Sequence, residues 1–257
     1  MSRTPATGIG PFVGRRPPAG RAAVVVLAGG SGTRVGASLN KVYLPLAGRR
    51  LISWSFTWAD EVAEVGHLML VVRPEDAELA EQTLRREAPS GRQVELVIGG
   101  DTRHGSEQAA LDHLRDRVDA GEVDVIAIHD GARPLAGPAL FRSVVTTAAS
   151  VGGAVPALPA LGVLPAEDAP TAKAYGSAAG LVRVQTPQAF RAPDLLRAYD
   201  QARADGYQGT DTACSIERYG GPAVRVVAGS RHNLKVTYPH DLVLAERLLS
   251  THHYRMP

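Results

Sequence analysis

The chain has 257 residues, of which 44% are hydrophobic, with 28 Lys and Arg against 26 Asp and Glu. That length suits one large α/β domain or two small ones. The near-neutral balance excludes non-specific attraction to nucleic acid or to a membrane surface, so any basic site has to be local. A single cysteine, Cys214, excludes an internal disulfide, fits a reducing cytoplasm and is expected as a small core filler.

Residues 1–20 are rich in Gly, Pro, Arg, Thr and Ser without periodicity, and read as a disordered tail; residues 251–257 read as a short C-terminal tail. The run Val24, Val25, Val26, Leu27 predicts a buried strand that breaks into a loop holding Gly29, Gly30 and Gly32. The apolar spacing from Leu51 through Trp54, Phe56 and Trp58 toward Glu64 predicts a helix on a sheet, with both tryptophans in the core. Strands follow at 67–72, 93–98 and 123–128, with helices between them at about 75–87 and 106–119. Strand alternating with helix is the rhythm of a parallel sheet covered on both faces. Residues 151–180 lose that rhythm, are rich in Ala, Pro and Gly, and read as an inserted arm. A strand end at 185–190 feeds a helix at 193–204; strands are expected at 223–227 and 234–237, and a last helix through 249. No apolar run approaches the ~18 residues of a membrane span.

The glycine loop carries the first chemical signal. Glycines let successive N–H groups converge on phosphate oxygens, and Arg34 and Lys41 add fixed positive charge beside them. A Walker loop would end in Gly-Lys-Ser/Thr, which is absent. A dinucleotide fingerprint from Gly30 meets Val35 where its last glycine belongs and finds no acidic residue about twenty positions on. In such sheets ligands gather at the carboxyl ends of strands, and three of these ends carry polar, Gly-containing loops: 29–41, 99–106 and 129–134. Their convergence is a topological expectation. His129, ending an apolar strand, is expected as a hydrogen-bonded structural histidine, and the eight histidines show no zinc-site spacing.

In order along residues 22–249 stand Leu-Ala-Gly-Gly-Ser-Gly-Thr-Arg34, Lys41-Val-Tyr-Leu, Gly-Gly-Asp-Thr-Arg103 with Ser106, His-Asp130-Gly-Ala-Arg133-Pro, Thr186-Pro-Gln188, Thr210-Asp211 and Asn233-Leu-Lys235. This set resembles the family of 2-C-methyl-D-erythritol 4-phosphate cytidylyltransferase and its ribitol-5-phosphate relative. The resemblance implies a single Rossmann-like α/β nucleotidyltransferase domain at 21–250, a mostly parallel sheet with helices on both faces and the inserted arm. It implies transfer of CMP from CTP to a small polyol phosphate with release of pyrophosphate, in the presence of Mg²⁺ or another divalent cation, by a homodimer whose arm reaches the neighbour's site.

By the same resemblance, Arg34, Lys41 and Lys235 would be catalytic. Ala28, Gly29, Gly30, Gly32, Gly100, Asp101, Arg103, Ser106 and Gly131 would hold the nucleotide, with 100–106 on the cytosine side. Arg133, Thr186, Gln188 and Asp211 would hold the acceptor, and Asp130 the metal. The chain departs from the family pattern at four points: Asn40 stands for a Pro, Gly162 for an arm Thr, Ala178 for an Arg and His232 for an Asp. The CTP half therefore matches and the acceptor half is altered, with Lys173 and Arg183 near enough in sequence to substitute. Another acceptor such as ribitol 5-phosphate, or a CTP-binding homologue without turnover, are the alternatives.

Overall fold

The structure, a computed structural model, describes residues 8–12, 20–29, 40–160 and 181–251. In chain order it runs β1 (Gly8–Phe12), β2 (Ala22–Leu27), a 3-10 turn at Lys41–Tyr43, β3 (Pro45–Leu46), β4 (Arg49–Arg50) and α1 (Ser53–Asp60). Then come β5 (Val65–Val72), α2 (Ala77–Glu87), β6 (Val94–Ile98), α3 (Arg103–Asp119), β7 (Val125–Asp130) and α4 (Gly137–Val151). The last part is β8 (Gly153–Pro159), β9 (Val182–Val184), β10 (Gln188–Arg191), α5 (Ala192–Asp205), α6 (Thr212–Arg218), β11 (Val224–Ala228) and α7 (Pro239–Ser250).

β2 explains the architecture. All six of its residues are buried, and they alternate between two cores: Val24 and Val26 join one, Ala23, Val25 and Leu27 the other. A strand apolar on both faces needs cover on both. The first core is closed by α1, α2, α4 and α7, through residues such as Phe56, Leu84, Phe141 and Leu249. The second is closed by α3, α5 and α6, through Leu111, Leu114, Leu195 and Ile216. Both tryptophans are core residues as expected, and their indole N–H groups donate to Leu46 O (3.0 Å) and Pro134 O (2.7 Å).

The sheet order is β1-β6-β5-β2-β7-β10-β8-β11, with β9 on β8. β6, β5, β2 and β7 are parallel, while β10 runs antiparallel between β7 and β8. The chain builds outward from β2 through β5 to β6, then crosses to the other side of β2 for β7. The strand order thus reverses between β2 and β7, and ligands in such sheets bind at the carboxyl ends beside that switch.

Four sequence expectations change. Residues 8–12, expected within a disordered tail, form β1 and pair antiparallel with the edge strand β6, satisfying its open backbone groups. Residues 153–159, expected in the arm, form β8 inside the sheet, because Ala154 and Val155 face the two cores. The remainder of the arm, 161–180, lies outside the described residues. The sequence reading assigns no element to α4; its buried stripe Leu140, Phe141, Val144, Val145, Ala148 has helical period, but the β-branched run Val144, Val145, Thr146, Thr147 masks it. Residues 234–237 form no strand; Val236 N donates to Ala132 O (2.8 Å), while Leu234 N and Thr237 N turn to His232 O and Asp241 Oδ2.

Candidate active site

The ends of β2, β5, β6 and β7 meet where the topology places a ligand. Leu27 lies opposite Asp130 across β2 and β7, and Ala28 N donates to Val71 O at the end of β5 (2.8 Å). Chain entry and exit of the glycine loop are stitched together by one buried side chain. Asn40 Nδ2 donates to Ala28 O (2.7 Å) and to Asp76 Oδ2 (2.8 Å), and Asp76 is in turn paired with Arg73 (2.9 Å). Gly30, Gly32 and Arg34 lie outside the described residues. Lys41 follows the stitch directly, and its side chain is buried.

The 99–106 loop comes to the same place. A Cβ on Gly29 would sit 3.4 Å from Ser106 Oγ, and that hydroxyl donates to Gly100 O (3.2 Å). Thr102 caps α3 by accepting from Gly105 N (3.0 Å), and Asp101 is exposed on the turn before it. Arg103, expected on the cytosine side with its neighbours, instead turns toward β7. Its Nη1 donates to Asp130 Oδ1, while Nε lies 3.0 Å from Glu107 Oε1.

Asp130 is the centre of the charge cluster. Besides Arg103, it accepts from Lys235 Nζ at Oδ2 (2.9 Å), with Arg133 Nε 3.6 Å away. Burial would raise its carboxyl, but the Arg103 and Lys235 charges outweigh that and hold it well below the usual range. Burial presses the Arg133 guanidinium below its usual value; Asp130 opposes this, while the Arg103 and Arg183 charges add to it. Three cations on one carboxylate make a site that lacks anion rather than cation.

Glu107 supports this cluster from below. It is buried, accepts from Thr212 Oγ1 (3.0 Å) and the Tyr199 hydroxyl, and burial raises its carboxyl despite Arg103. Its spacing from Arg103 is one helical turn, a pairing visible in sequence but not singled out there.

His129 is buried and structural, as expected. Burial lowers its pKa to about 4, so it is neutral near pH 7. Its Nε2 meets Arg133 O (3.1 Å), a group that only accepts, so the single ring proton sits on Nε2. Nδ1 is then bare and must accept the Thr186 hydroxyl proton (3.2 Å), while Thr186 Oγ1 accepts from Asp130 N (2.9 Å). Thr186, expected on the acceptor, thus spends its only proton inside the protein.

Two other expected acceptor contacts are also struts. Gln188 is buried, accepting from Ala213 N (3.2 Å) and donating to Asp211 Oδ2 (3.4 Å); Asp211 caps α6 by accepting from Cys214 N (2.9 Å). Cys214 is only half-buried. Gly131 is a close-approach glycine: its N–H donates to Leu27 O (2.9 Å), and an added Cβ would stand 2.9 Å from that oxygen and 3.0 Å from Ile52 Cδ1. Gly131→Ala is expected to destabilise the fold by about 1–3 kcal/mol, read as a lowered urea midpoint.

Beside Asp130 opens a cleft of about 550 Å³ lined by Arg133, Arg183, Arg231 and Lys235, with Leu158, Val184 and Leu234 among its apolar walls. Gln185 holds its two sides together. The amide donates to Ser230 O (2.8 Å) and accepts from Ser230 N (3.1 Å), while Asn233 Nδ2 donates to Thr186 O (2.8 Å). Gly229 permits this approach, since a Cβ there would lie 2.7 Å from Gln185 Oε1. Arg133 Nη1 donates to Asn233 O (2.9 Å), closing the frame. Gln185, Asn40 and Glu107 are framework residues that the sequence reading gave no role.

A divalent cation at Asp130 would draw most of its oxygen ligands from substrate phosphates and water. Such an ion takes about six oxygen ligands, whereas both Asp130 oxygens accept from cations and no group of three His, Cys, Asp or Glu stands together among the described residues.

A central strand that leads into Gly29 at the switch point of a doubly wound sheet, beside a cation-rich cleft, defines an α/β protein built to handle phosphorylated ligands. The model of the 2-C-methyl-D-erythritol 4-phosphate cytidylyltransferase (IspD) family matches residues 22–251, and the chain belongs to that family. A 2-C-methyl-D-erythritol 4-phosphate cytidylyltransferase from Synechococcus sp. (strain JA-3-3Ab) is 36% identical over 230 residues, covering 88% of this chain and 96% of the relative. The solved structure of that name from Thermus thermophilus is 28% identical, with a TM-score of 0.70 over 89% of this chain and 98% of the other. The 4-diphosphocytidyl-2C-methyl-D-erythritol synthase of Anaerococcus prevotii shares the fold, with a TM-score of 0.75 at 22% identity over 91% of this chain and 97% of the other.

Proposed function

We propose that the protein transfers CMP from CTP to 2-C-methyl-D-erythritol 4-phosphate, releasing pyrophosphate, in isoprenoid precursor synthesis. The observation that carries this reading is the Asp130 cluster, set beside the phosphate-loop strand and opening on a cationic cleft. An oxygen of the acceptor's phosphate attacks the α-phosphorus of CTP, and the bond to the β-phosphate oxygen breaks. The nucleophile is already anionic near pH 7, so no general base is needed. Positioning and electrostatics supply the rate. Lys235, at the boundary of Asp130 and the cleft, would bridge the acceptor phosphate and the α-phosphate. Lys41 and Arg34 would meet the triphosphate, neutralising charge on the leaving pyrophosphate.

In this reading a divalent cation enters with the substrate, carried on CTP oxygens. Gly29, Gly100 and Ser106 stand nearest the nucleotide. A homodimer is part of the proposal: Leu181 and Val182 at the foot of the arm are 51% and 49% exposed, an apolar surface that a second copy would cover. The proposed location is the cytoplasm; among the described residues no helix is long and apolar enough to cross a membrane.

The test is pyrophosphate release from CTP and Mg²⁺, with 2-C-methyl-D-erythritol 4-phosphate and ribitol 5-phosphate supplied separately. Activity with the first is expected to exceed activity with the second, and Lys41→Ala is expected to reduce it by about 10²-fold or more, the scale of removing one charge stabiliser. Release with neither acceptor would overturn the reading.

A further inference from the structure

Arg183 and Arg231 stand out among the charged side chains of the cleft. Arg133 and Lys235 are engaged with Asp130 and, for Arg133, with Asn233 O. Arg183 and Arg231 are exposed and, among the described residues, carry no side-chain hydrogen bond or ion pair. Among the described residues no carboxylate lines the cleft to balance them. Like charges gathered without a counter-charge are unfavourable in the protein alone, so the arrangement suits an anionic occupant.

The two arginines are also held in fixed relation. Arg183 sits on β9, whose neighbour Gln185 clasps both backbone groups of Ser230, the residue before Arg231. Asn233, two residues beyond Arg231, is fastened to Thr186 O and Arg133. A single buried amide network thus ties together the two backbone segments that carry these arginines into the cleft lining. Guanidinium groups bind phosphate through paired, parallel N–H donors, and a phosphate monoester carries about −1.5 to −2 charges near pH 7. The apolar wall of Leu158, Val184 and Leu234 suits the carbon face of a small branched polyol.

We propose that Arg183 and Arg231 are the clamp that fixes the acceptor's phosphate, gripping two of its oxygens while the third, beside Lys235, attacks. This rests on the function proposed above and assigns specificity within it: the site selects a polyol bearing a phosphate monoester through two arginines of one chain. Arg231 is the new element, since neither its spacing nor any motif in the sequence points to it.

The test compares the full-length protein with Arg231→Ala, Arg183→Ala, the double variant and Arg231→Lys. Pyrophosphate release is measured against 2-C-methyl-D-erythritol 4-phosphate at saturating CTP, and against CTP at saturating acceptor. Each alanine variant is expected to raise the acceptor KM about tenfold and the double variant about a hundredfold, with the CTP KM within about twofold of the parent; this is the scale of one charge-assisted bidentate contact each. Arg231→Lys, which keeps the charge but not the fork, is expected to fall between parent and Arg231→Ala. An acceptor KM that stays within about twofold in both single variants overturns the clamp. Calorimetric binding of inorganic phosphate separates this from failure of the reaction itself. If the parent turns nothing over yet binds phosphate and the double variant does not, the clamp stands and the proposed reaction falls. Equal phosphate binding by both proteins, or binding by neither, overturns the clamp.

Discussion

Asp130→Ala is expected to lower kcat/KM by about 10²–10³-fold and to destabilise the fold by about 3 kcal/mol, at the lower end of the range for removing one partner of a buried ion pair. The lower end applies because Lys235 is 43% and Arg103 28% exposed at the side chain, so water screens part of the loss. Without the carboxylate, Arg133 and Lys235 lose the anion they share, and Arg103 keeps only Glu107. Asp130→Asn keeps the shape but not the charge, and is expected to lose nearly as much. Urea unfolding and steady-state pyrophosphate release measure the two effects. Inorganic phosphate supplies a discriminating control: it is expected to raise the Tm of Asp130→Ala by more than that of the parent, because it replaces the missing anion. Equal shifts would mean that the three cations do not depend on Asp130.

The sign of the pH effect follows from the direction of the Asp130 shift. The native carboxyl titrates below its unfolded value, near 3.9. Its stabilising share is present above that value and is lost as pH falls through the native one. Near neutral pH the cluster is intact, and an incoming phosphate meets cations already assembled. Asp130 thereby acts as a resident substitute for substrate charge: it holds Arg103, Arg133 and Lys235 in place, and their surplus positive charge remains for the ligand. Such preassembly is the condition under which charged groups stabilise a transition state without reorganising.

How much of this was legible before the fold is clearest from individual residues. β2 and the 67–72 strand follow directly from short, β-branched apolar runs, because a central parallel strand has no polar face to hide. The convergence of the 99–106 and 129–134 loops at the end of β2 follows from topology alone, and Leu27 opposite Asp130 with Arg103 on Asp130 realises it; residues 30–39 of the third loop lie outside the described residues. Residue types at the site were also readable, but their partners were not. Arg103 is close in sequence to the expected base-binding residues, yet it crosses to a strand end 27 positions away. Thr186 has the look of a ligand-facing hydroxyl, yet its proton goes to His129, a contact spanning 57 positions. Long-range pairs of this kind depend on how β10 inserts between β7 and β8, which no local period encodes. Arg231 was unreadable for the same reason: it matters only because Gln185 clasps Ser230.

His129 gives the second large effect, and its sign runs through the unfolded state. In the native protein burial lowers its pKa to about 4, while in the unfolded chain it titrates near 6.5. Between those values the unfolded chain binds a proton that the native one refuses, so stability falls as pH drops from 6.5 toward 4 and no further share is lost below. From about pH 7.5 to 4.5 this one residue is expected to remove about 2–3 kcal/mol. His129→Gln isolates that share, because its amide can accept from the Thr186 hydroxyl and donate to Arg133 O without titrating. Urea unfolding of both proteins at the two pH values gives a difference of differences in which the other histidines and carboxylates cancel. The parent is expected to lose about 2–3 kcal/mol more than the variant across that interval; parallel losses would mean that His129 is protonated in the native state. In that case Nδ1 would carry a proton toward Thr186, the hydroxyl proton would be released from its internal bond, and Thr186 would regain a donor for the acceptor.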